Sequence, residues 1–242
     1  MALQRFFLSP EQFNSENINV QGELAHQLQR VLRLPIGEKV LLLDGTGLEY
    51  QAVITGFAKS SVSFQILEKD LAQGEPTINL TLYQALLKGE KFDFVLQKNT
   101  EIGISRIVPV LMERCVSDSA SPAKLERWRK IVREAAEQSR RGILPSLSEV
   151  LSLKQAINSD TAELKLIAWE SATVSLKQRL SASPQPNTIS LVIGAEGGIS
   201  PSEVELAQGQ GFLPVSLGSR ILRAETAALV TISQILYHYD SP

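Results

Sequence analysis

The sequence predicts an α/β protein of two domains, a small β-rich one over residues 1–72 and a larger one with a mostly parallel sheet over residues 77–242. Three observations carry this expectation. From Val40 to Leu67 short stretches alternate apolar and polar residues, punctuated by Asp44-Gly45-Thr46-Gly47 and by Gly56, the pattern of short antiparallel strands. Further along, strand-like and helix-like segments alternate, as a parallel sheet with helical crossovers requires. Between the two patterns lies Ala72-Gln73-Gly74-Glu75-Pro76, a small, polar, turn-forming stretch that marks the boundary.

Taken in chain order, the first helix is expected over Glu23 to Leu34, where Leu24, Leu28, Val31 and Leu32 share a face and Pro35-Ile36-Gly37 stops the run. The larger domain should hold strands at Ile78 to Ala85, Ile107 to Val110, Leu164 to Trp169, Thr188 to Ile193 and Pro214 to Leu217. Helices are expected near 92–102, 122–141, 152–158, 201–209 and 223–238. Two helix starts are signposted by Ser121-Pro122 and Ser200-Pro201, each a hydroxyl at the cap and a proline where no N–H is needed. Glu203 completes a capping box at the second.

With 43% hydrophobic and 21% charged residues among 242, the chain has globular composition, which excludes a disordered or collagen-like protein. No apolar run reaches the roughly 20 residues of a membrane helix and the start lacks a leader pattern, so a cytoplasmic protein is expected. Cys115 is the single cysteine and His26 and His238 the two histidines, too few for a zinc site of ordinary ligands. A net charge of −2 gives no global sign of nucleic-acid binding, so that argument rests on how the charges are distributed.

The most informative stretch is Ser190 to Glu203, a buried-looking strand running through Gly194-Ala195-Glu196-Gly197-Gly198 into a capped helix. In open α/β sheets ligands bind in the crevice beyond the strand ends, where glycines expose backbone groups to them; a tight strand-to-helix turn is the alternative reading. The spacing is neither a dinucleotide fingerprint nor a P-loop. Glu196 stands where those motifs receive phosphate, which favours a ligand bearing hydroxyls or positive charge, such as a nucleoside with a sulfonium. A nucleotide-using oxidoreductase is disfavoured for the same reason.

A second constellation runs from Val215 to Leu229, where a short strand leads through a glycine turn into the last helix. Arg220 and Arg223 lie near that helix N-terminus, where the macrodipole disfavours cations. Either an anionic partner holds them there, or a salt bridge to Glu225 or to the neighbouring loop does. The segment Lys124 to Arg141 carries Lys124, Arg127, Arg129, Lys130, Arg133, Arg140 and Arg141 against Glu126, Glu134 and Glu137. It predicts a strongly positive helix face, for RNA or for water. Arg5, Arg30 and Arg33 would add a second basic patch.

With these stretches in view, the chain resembles the ribosomal RNA small-subunit methyltransferase E group of the SPOUT superfamily. The resemblance runs through Arg5-Phe6-Phe7-Leu8, His26 to Arg33, Leu43 to Gly47, Gln97 to Gly103, Glu134 to Arg140, Gly194 to Gly198 and Leu217 to Ala227. One departure is Ala195, where the family commonly has proline. The resemblance implies an N-terminal PUA-like β-barrel that binds RNA and a C-terminal SPOUT domain with a trefoil knot, assembled as a homodimer. Periodicity alone would predict an open doubly wound sheet, because knots are nearly absent among folds.

The same resemblance implies transfer of a methyl group from S-adenosylmethionine to N3 of a uridine in small-subunit ribosomal RNA, free or in the assembled subunit. The non-catalytic alternative is an RNA-binding ribosome-assembly factor. The family's cofactor pocket falls here on Trp169, Glu170, Ile193, Gly194, Glu196, Gly197, Gly198, Leu217, Gly218, Ser219, Ile221 and Leu222. Uridine N3 must lose a proton before it attacks. That assigns Arg223 to the resulting anion, with Glu225 or Glu196 orienting the arginine or the cofactor. Arg5, Arg30, Arg33, Arg140, Arg141 and Arg220 are the expected RNA contacts.

Overall fold

Residues 3–116 and 119–240 are described in a computed structural model of the chain. They form two units: residues up to Glu75 together with Ala136–Leu144, and Pro76–Ala135 together with the residues from Pro145 onward. The return of 136–144 to the first unit is not visible in a linear division at residues 72–77.

The first unit is built on strands β1 (Gln4–Phe7), β2 (Asn17–Gln21), β3 (Lys39–Leu43), β4 (Leu48–Phe57) and β5 (Ser61–Leu71), in the sheet order β1-β3-β4-β5-β2. All pairings are antiparallel except β1 with β3. Alternation along β2 and β4 buries Ile18, Val20, Tyr50, Ala52 and Ile54 against Leu28, Leu42 and Phe64. The β3–β4 turn is closed by Asp44, whose Oδ1 accepts both the Thr46 N–H and its hydroxyl at 2.8 Å.

The expected first helix is present but changes its winding. Helix α1 (Glu23–His26) passes into a π-helical segment over Gln27–Val31, with the Leu32 N–H on the Gln27 carbonyl. An i→i+5 step rotates the following residues off the face that 3.6 residues per turn would give them. Leu28 is fully buried as expected, while Val31 is 65% exposed and Leu32 is at the surface.

The turn over Ala136–Leu144 is fixed by Glu75. Its Oε2 accepts from Arg141 Nη2 at 2.7 Å, and its Oε1 accepts from the Gly142 and Ile143 N–H groups at 2.9 and 3.0 Å. A Cβ on Gly142 would stand 2.0 Å from the Ala72 methyl, so only glycine fits.

The second unit carries a parallel sheet of β6 (Asn79–Ala85), β7 (Arg106–Leu111), β8 (Ser146–Leu147), β9 (Leu151–Ser152), β10 (Leu164–Ala168), β11 (Thr188–Ile193) and β12 (Leu213–Val215). The order is β12-β10-β11-β6-β7-β8, with β9 also on β7. Its helices are α2 (Lys91–Ile102), α3 (Pro122–Gln138, whose last three residues group with the first unit), α4 (Leu153–Asn158), α5 (Leu176–Ser181), α6 (Pro201–Gly209) and α7 (Ala224–Tyr239). Strands β6 and β11 are buried almost throughout, as central strands covered on both faces must be. Tyr83 on β6 and Ser190 on β11 both donate to Asp160 Oδ2, at 2.7 and 2.5 Å. No helix of the described residues is long and apolar enough to cross a membrane.

The spatial order puts β11 between β6 and β10, although β7, β8 and β9 intervene in sequence. The chain therefore runs outward from β6 and then resumes on its other side. Such a reversal opens a crevice at the carboxyl ends of the strands.

Candidate functional site: a cleft at the carboxyl ends of β10, β11 and β12

A cleft of about 690 Å³ lies at this crevice, walled by Ala168–Glu170 after β10, Ile193–Ile199 after β11 and the segment from Ser216 into α7. All the residues assigned to a cofactor pocket from the sequence line it except Ser219, which is exposed on the same turn. Arg220, Arg223 and Glu225 line it as well, and Lys91 reaches in from the start of α2. Three strand ends thus bring together stretches that are separate in sequence.

The glycine turn is shaped by close approach. A Cβ on Gly194 would meet Ile199 Cγ1 at 2.5 Å, and Gly198 sits at φ +79°, where side chains are disfavoured. The Gly198 N–H closes the turn on the Ala195 carbonyl at 2.9 Å. Ala195 is itself buried and the turn is regular, so the departure from proline leaves no gap. Beyond the turn, Ser200 and Glu203 form the expected capping box of α6. Glu203 does more, since its Oε1 accepts the Glu113 N–H at 2.7 Å from the loop after β7.

Glu196 does not face the cleft as a free carboxylate. Its Oε1 accepts from Lys91 Nζ at 3.0 Å and from the Lys88 N–H at 3.2 Å. Burial alone would raise its pKa; the Lys91 hydrogen bond, the backbone N–H groups and the Lys91 charge outweigh it and hold the carboxyl below the ordinary glutamate value. Glu196 lines the cleft and at the same time clamps the turn to the loop after β6. Glu225 is different. Its Oε2 is buried with no hydrogen-bond partner, at the first turn of α7, where the exposed N–H groups favour an anion.

Neither Arg220 nor Arg223 has a carboxylate partner among the described residues, so the salt bridge to Glu225 is not made. Both are exposed on the cleft wall, and Arg223 is the N-cap residue of α7 without a capping side chain. Two uncompensated cations beside a helix N-terminus leave an anion-seeking edge on an otherwise mixed cleft.

The remaining cations divide. Arg30, Arg33 and Arg140 are exposed on the first unit. Arg5 is nearly buried against Glu49 at 2.7 Å. Arg141 is 4% exposed and held by Glu75, so it fixes the turn and offers no charge to an RNA. Part of the strongly positive face expected on α3 is neutralised by neighbours. Arg127 makes two bonds to Asp93 at 2.7 and 2.8 Å, Arg129 pairs with Glu149 at 2.7 Å and Lys124 lies over the Trp128 ring.

Sequence reasoning missed Lys91, Lys88 and Arg114. Arg114 follows β7 and its Nη1 donates to the Gly197 carbonyl at 2.8 Å. Their signal was positional: Lys88 and Arg114 lie in the loops after parallel strands and Lys91 begins the helix that follows, at the end of the sheet where ligands bind. Nearby, Cys115 Sγ accepts the Met112 N–H at 3.3 Å and burial pushes its thiol pKa up, which makes it a loop fastener and no nucleophile.

Comparison with known proteins agrees with this geometry. The RNA methyltransferase domain family matches residues 74–236, and the RNA methyltransferase PUA domain family matches residues 20–67. The ribosomal RNA small subunit methyltransferase E of Synechocystis is 38% identical over 96% of this chain and 76% of its own length. The chain belongs to the ribosomal RNA small subunit methyltransferase E family. The Bacillus subtilis member is 30% identical over 98% of both chains. The Neisseria gonorrhoeae member, solved bound to S-adenosylmethionine, superposes with a TM-score of 0.90 at 32% identity, over 98% of both chains.

Proposed function

We propose that the protein methylates N3 of a uridine in small-subunit ribosomal RNA, with S-adenosylmethionine in the cleft at the ends of β10, β11 and β12. The observation that carries this is the pairing, in one cleft, of a partnerless buried carboxylate oxygen on Glu225 with two uncompensated arginines. A ligand bearing both positive and hydrogen-bonding groups suits the former and a nucleic acid suits the latter. Its glycine turn offers backbone groups without a covering Cβ, and the volume suits a nucleoside.

S-adenosylmethionine supplies an electrophilic methyl on a sulfonium when bound. The chain's residues do the rest. Trp169, Glu170, Ile193, Gly194, Glu196, Gly197, Gly198, Leu217, Gly218, Ile221 and Leu222 hold the nucleoside, mainly by backbone contacts and apolar packing, and Ser219 is left outside that set. Glu225 Oε2 accepts a hydrogen bond from the ligand, which satisfies an oxygen that is costly to bury unpaired. Uridine N3 gives its proton to solvent water and Arg223 stabilises the resulting anion, whose electron pair forms the N3–methyl bond as the sulfonium carbon–sulfur bond breaks and S-adenosylhomocysteine leaves, with Arg220 placing the neighbouring phosphate. No protein nucleophile is needed, because direct displacement depends on orientation.

RNA beyond the target base is held by the exposed Arg30, Arg33 and Arg140 of the first unit, while Arg5, paired with Glu49, is left outside that set. The trefoil knot and the homodimer expected of the family belong to the same reading. The test is calorimetric titration with S-adenosylmethionine, followed by mass spectrometry for N3-methyluridine in small subunits lacking the modification. Binding with a single new methyl on a uridine supports the proposal; a protein that binds RNA but no S-adenosylmethionine, alone or with small subunits present, overturns it in favour of an assembly factor.

A further inference from the structure

Two loops grip neighbouring residues of the glycine turn from different strand ends. The loop after β6 holds Glu196 through Lys88 and Lys91, and the loop after β7 holds Gly197 through Arg114. The second contact has a specific consequence. The Gly197 carbonyl and the Gly198 N–H belong to one planar peptide unit. Arg114 Nη1 donates to its oxygen at 2.8 Å, while its N–H donates to the Ala195 carbonyl at 2.9 Å. That plane is therefore pinned on both sides, at the one place in the cleft wall where two successive glycines leave the backbone most free.

Packing follows the same line. A Cβ on Gly197 would lie 3.1 Å from Arg114 Cβ, so the arginine stem already fills the space a side chain would take. A Cβ on Gly198 would meet Glu170 Oε1 at 3.2 Å and Arg114 Nη1 at 3.5 Å, which puts the guanidinium and the Glu170 carboxylate beside the same point. The Arg114 loop is anchored by the Glu113 N–H on Glu203 Oε1, so its grip is transmitted from the start of α6.

We infer that Arg114 is a positioning residue for methyl transfer: by locking the Gly197–Gly198 peptide it sets the cofactor wall of the cleft before any ligand arrives. The inference rests on the cofactor reading of this cleft. Arg114 acts through the turn and does not itself line the cleft among the described residues. Without the lock, the two glycines must be ordered when the cofactor binds. Ground state and transition state then share the cost, so affinity falls while turnover at saturation holds.

The test compares wild type, Arg114→Ala, Arg114→Lys and Arg127→Ala, the last removing a surface arginine remote in role. Titration with S-adenosylmethionine and S-adenosylhomocysteine should show binding about tenfold weaker in Arg114→Ala, partly restored in Arg114→Lys and unchanged in Arg127→Ala. Turnover at saturating cofactor should stay within about twofold. In parallel, the glycine amide resonances of ligand-free protein should shift at Gly197 and Gly198 in Arg114→Ala, which reads the turn with no ligand present. Unchanged affinity or unmoved glycine amides would overturn the inference. If Arg114→Ala does not fold, Arg114→Lys decides by the same two readings. Failure of wild type to bind cofactor, alone or with small subunits present, would overturn the proposed function, while the amide shifts still report on Arg114.

Discussion

Lys91 Nζ stands 3.0 Å from Glu196 Oε1, joining the first residue of α2 to the middle of the glycine turn across 105 residues of sequence. Together with the Lys88 N–H on the same oxygen, it holds the turn from the side of β6.

This pairing makes turn stability depend on pH in a set direction. Glu196 is held below its ordinary value of 4.5 in the folded protein, where hydrogen bonds and the Lys91 charge outweigh burial. A depressed carboxylate contributes stability that is present above the unfolded pKa and lost as pH falls through the folded one. Melting curves of wild type and Glu196→Gln should therefore differ at about pH 7 and converge as pH falls below 4.5 and through the lower folded value. The gap stays small, under about 1 kcal/mol, because the pair is partly solvated. A gap that widens on acidification would contradict this assignment.

Gly194 is sterically obligatory. With its Cβ position 2.5 Å from Ile199 Cγ1, Gly194→Ala should cost about 1–3 kcal/mol in urea unfolding and weaken cofactor binding. Adding Ile199→Ala removes the clashing atom. The double variant should bind cofactor better than Gly194→Ala alone; additive losses in affinity would show that the clash is relieved elsewhere.

For Arg223, the proposed charge on uridine predicts an effect on rate. Arg223→Ala should lower turnover at saturating substrates by about a hundredfold or more, with cofactor affinity little changed. Arg223→Lys should recover part of the rate. Steady-state kinetics on small subunits checks this, and unchanged turnover would remove Arg223 from the chemistry.

What the sequence disclosed depended on whether the signal was local. Strands β6 and β11 were legible as apolar runs, and α6 was legible from Ser200-Pro201 and Glu203. The two-residue strands β8 and β9 are too short to carry any period. Helix α5 was missed although Ser175 and Gln178 form a capping box around its start and Leu176 and Leu180 share its buried face, so its signal was present and unread. The winding change after His26 has no periodic signature, and Val31 was misplaced by it. Lys91 and Arg114 could not be linked to the turn from sequence, because they meet it only through the order β11-β6-β7. For Arg141, a charged residue in a basic run reads as surface until its partner, Glu75, is placed 66 positions away.

Arg140 and Arg141 should separate RNA binding from folding. Arg141 is buried against Glu75, and truncating one partner of such a pair leaves a buried charge, so Arg141→Ala should destabilise by about 3–5 kcal/mol. Its neighbour lies in the left-handed region at φ +64°, just past the end of α3, where glycine is the usual residue. Arg140→Gly should therefore leave stability equal or raise it by up to about 1 kcal/mol. It should also weaken RNA binding and reduce the slope of log affinity against log salt by about 1, the signature of one lost phosphate contact. Denaturant unfolding and filter binding across salt concentrations measure both variants side by side. An Arg140→Gly protein with an unaltered salt slope would show that this strained arginine serves the helix C-terminus and not the RNA.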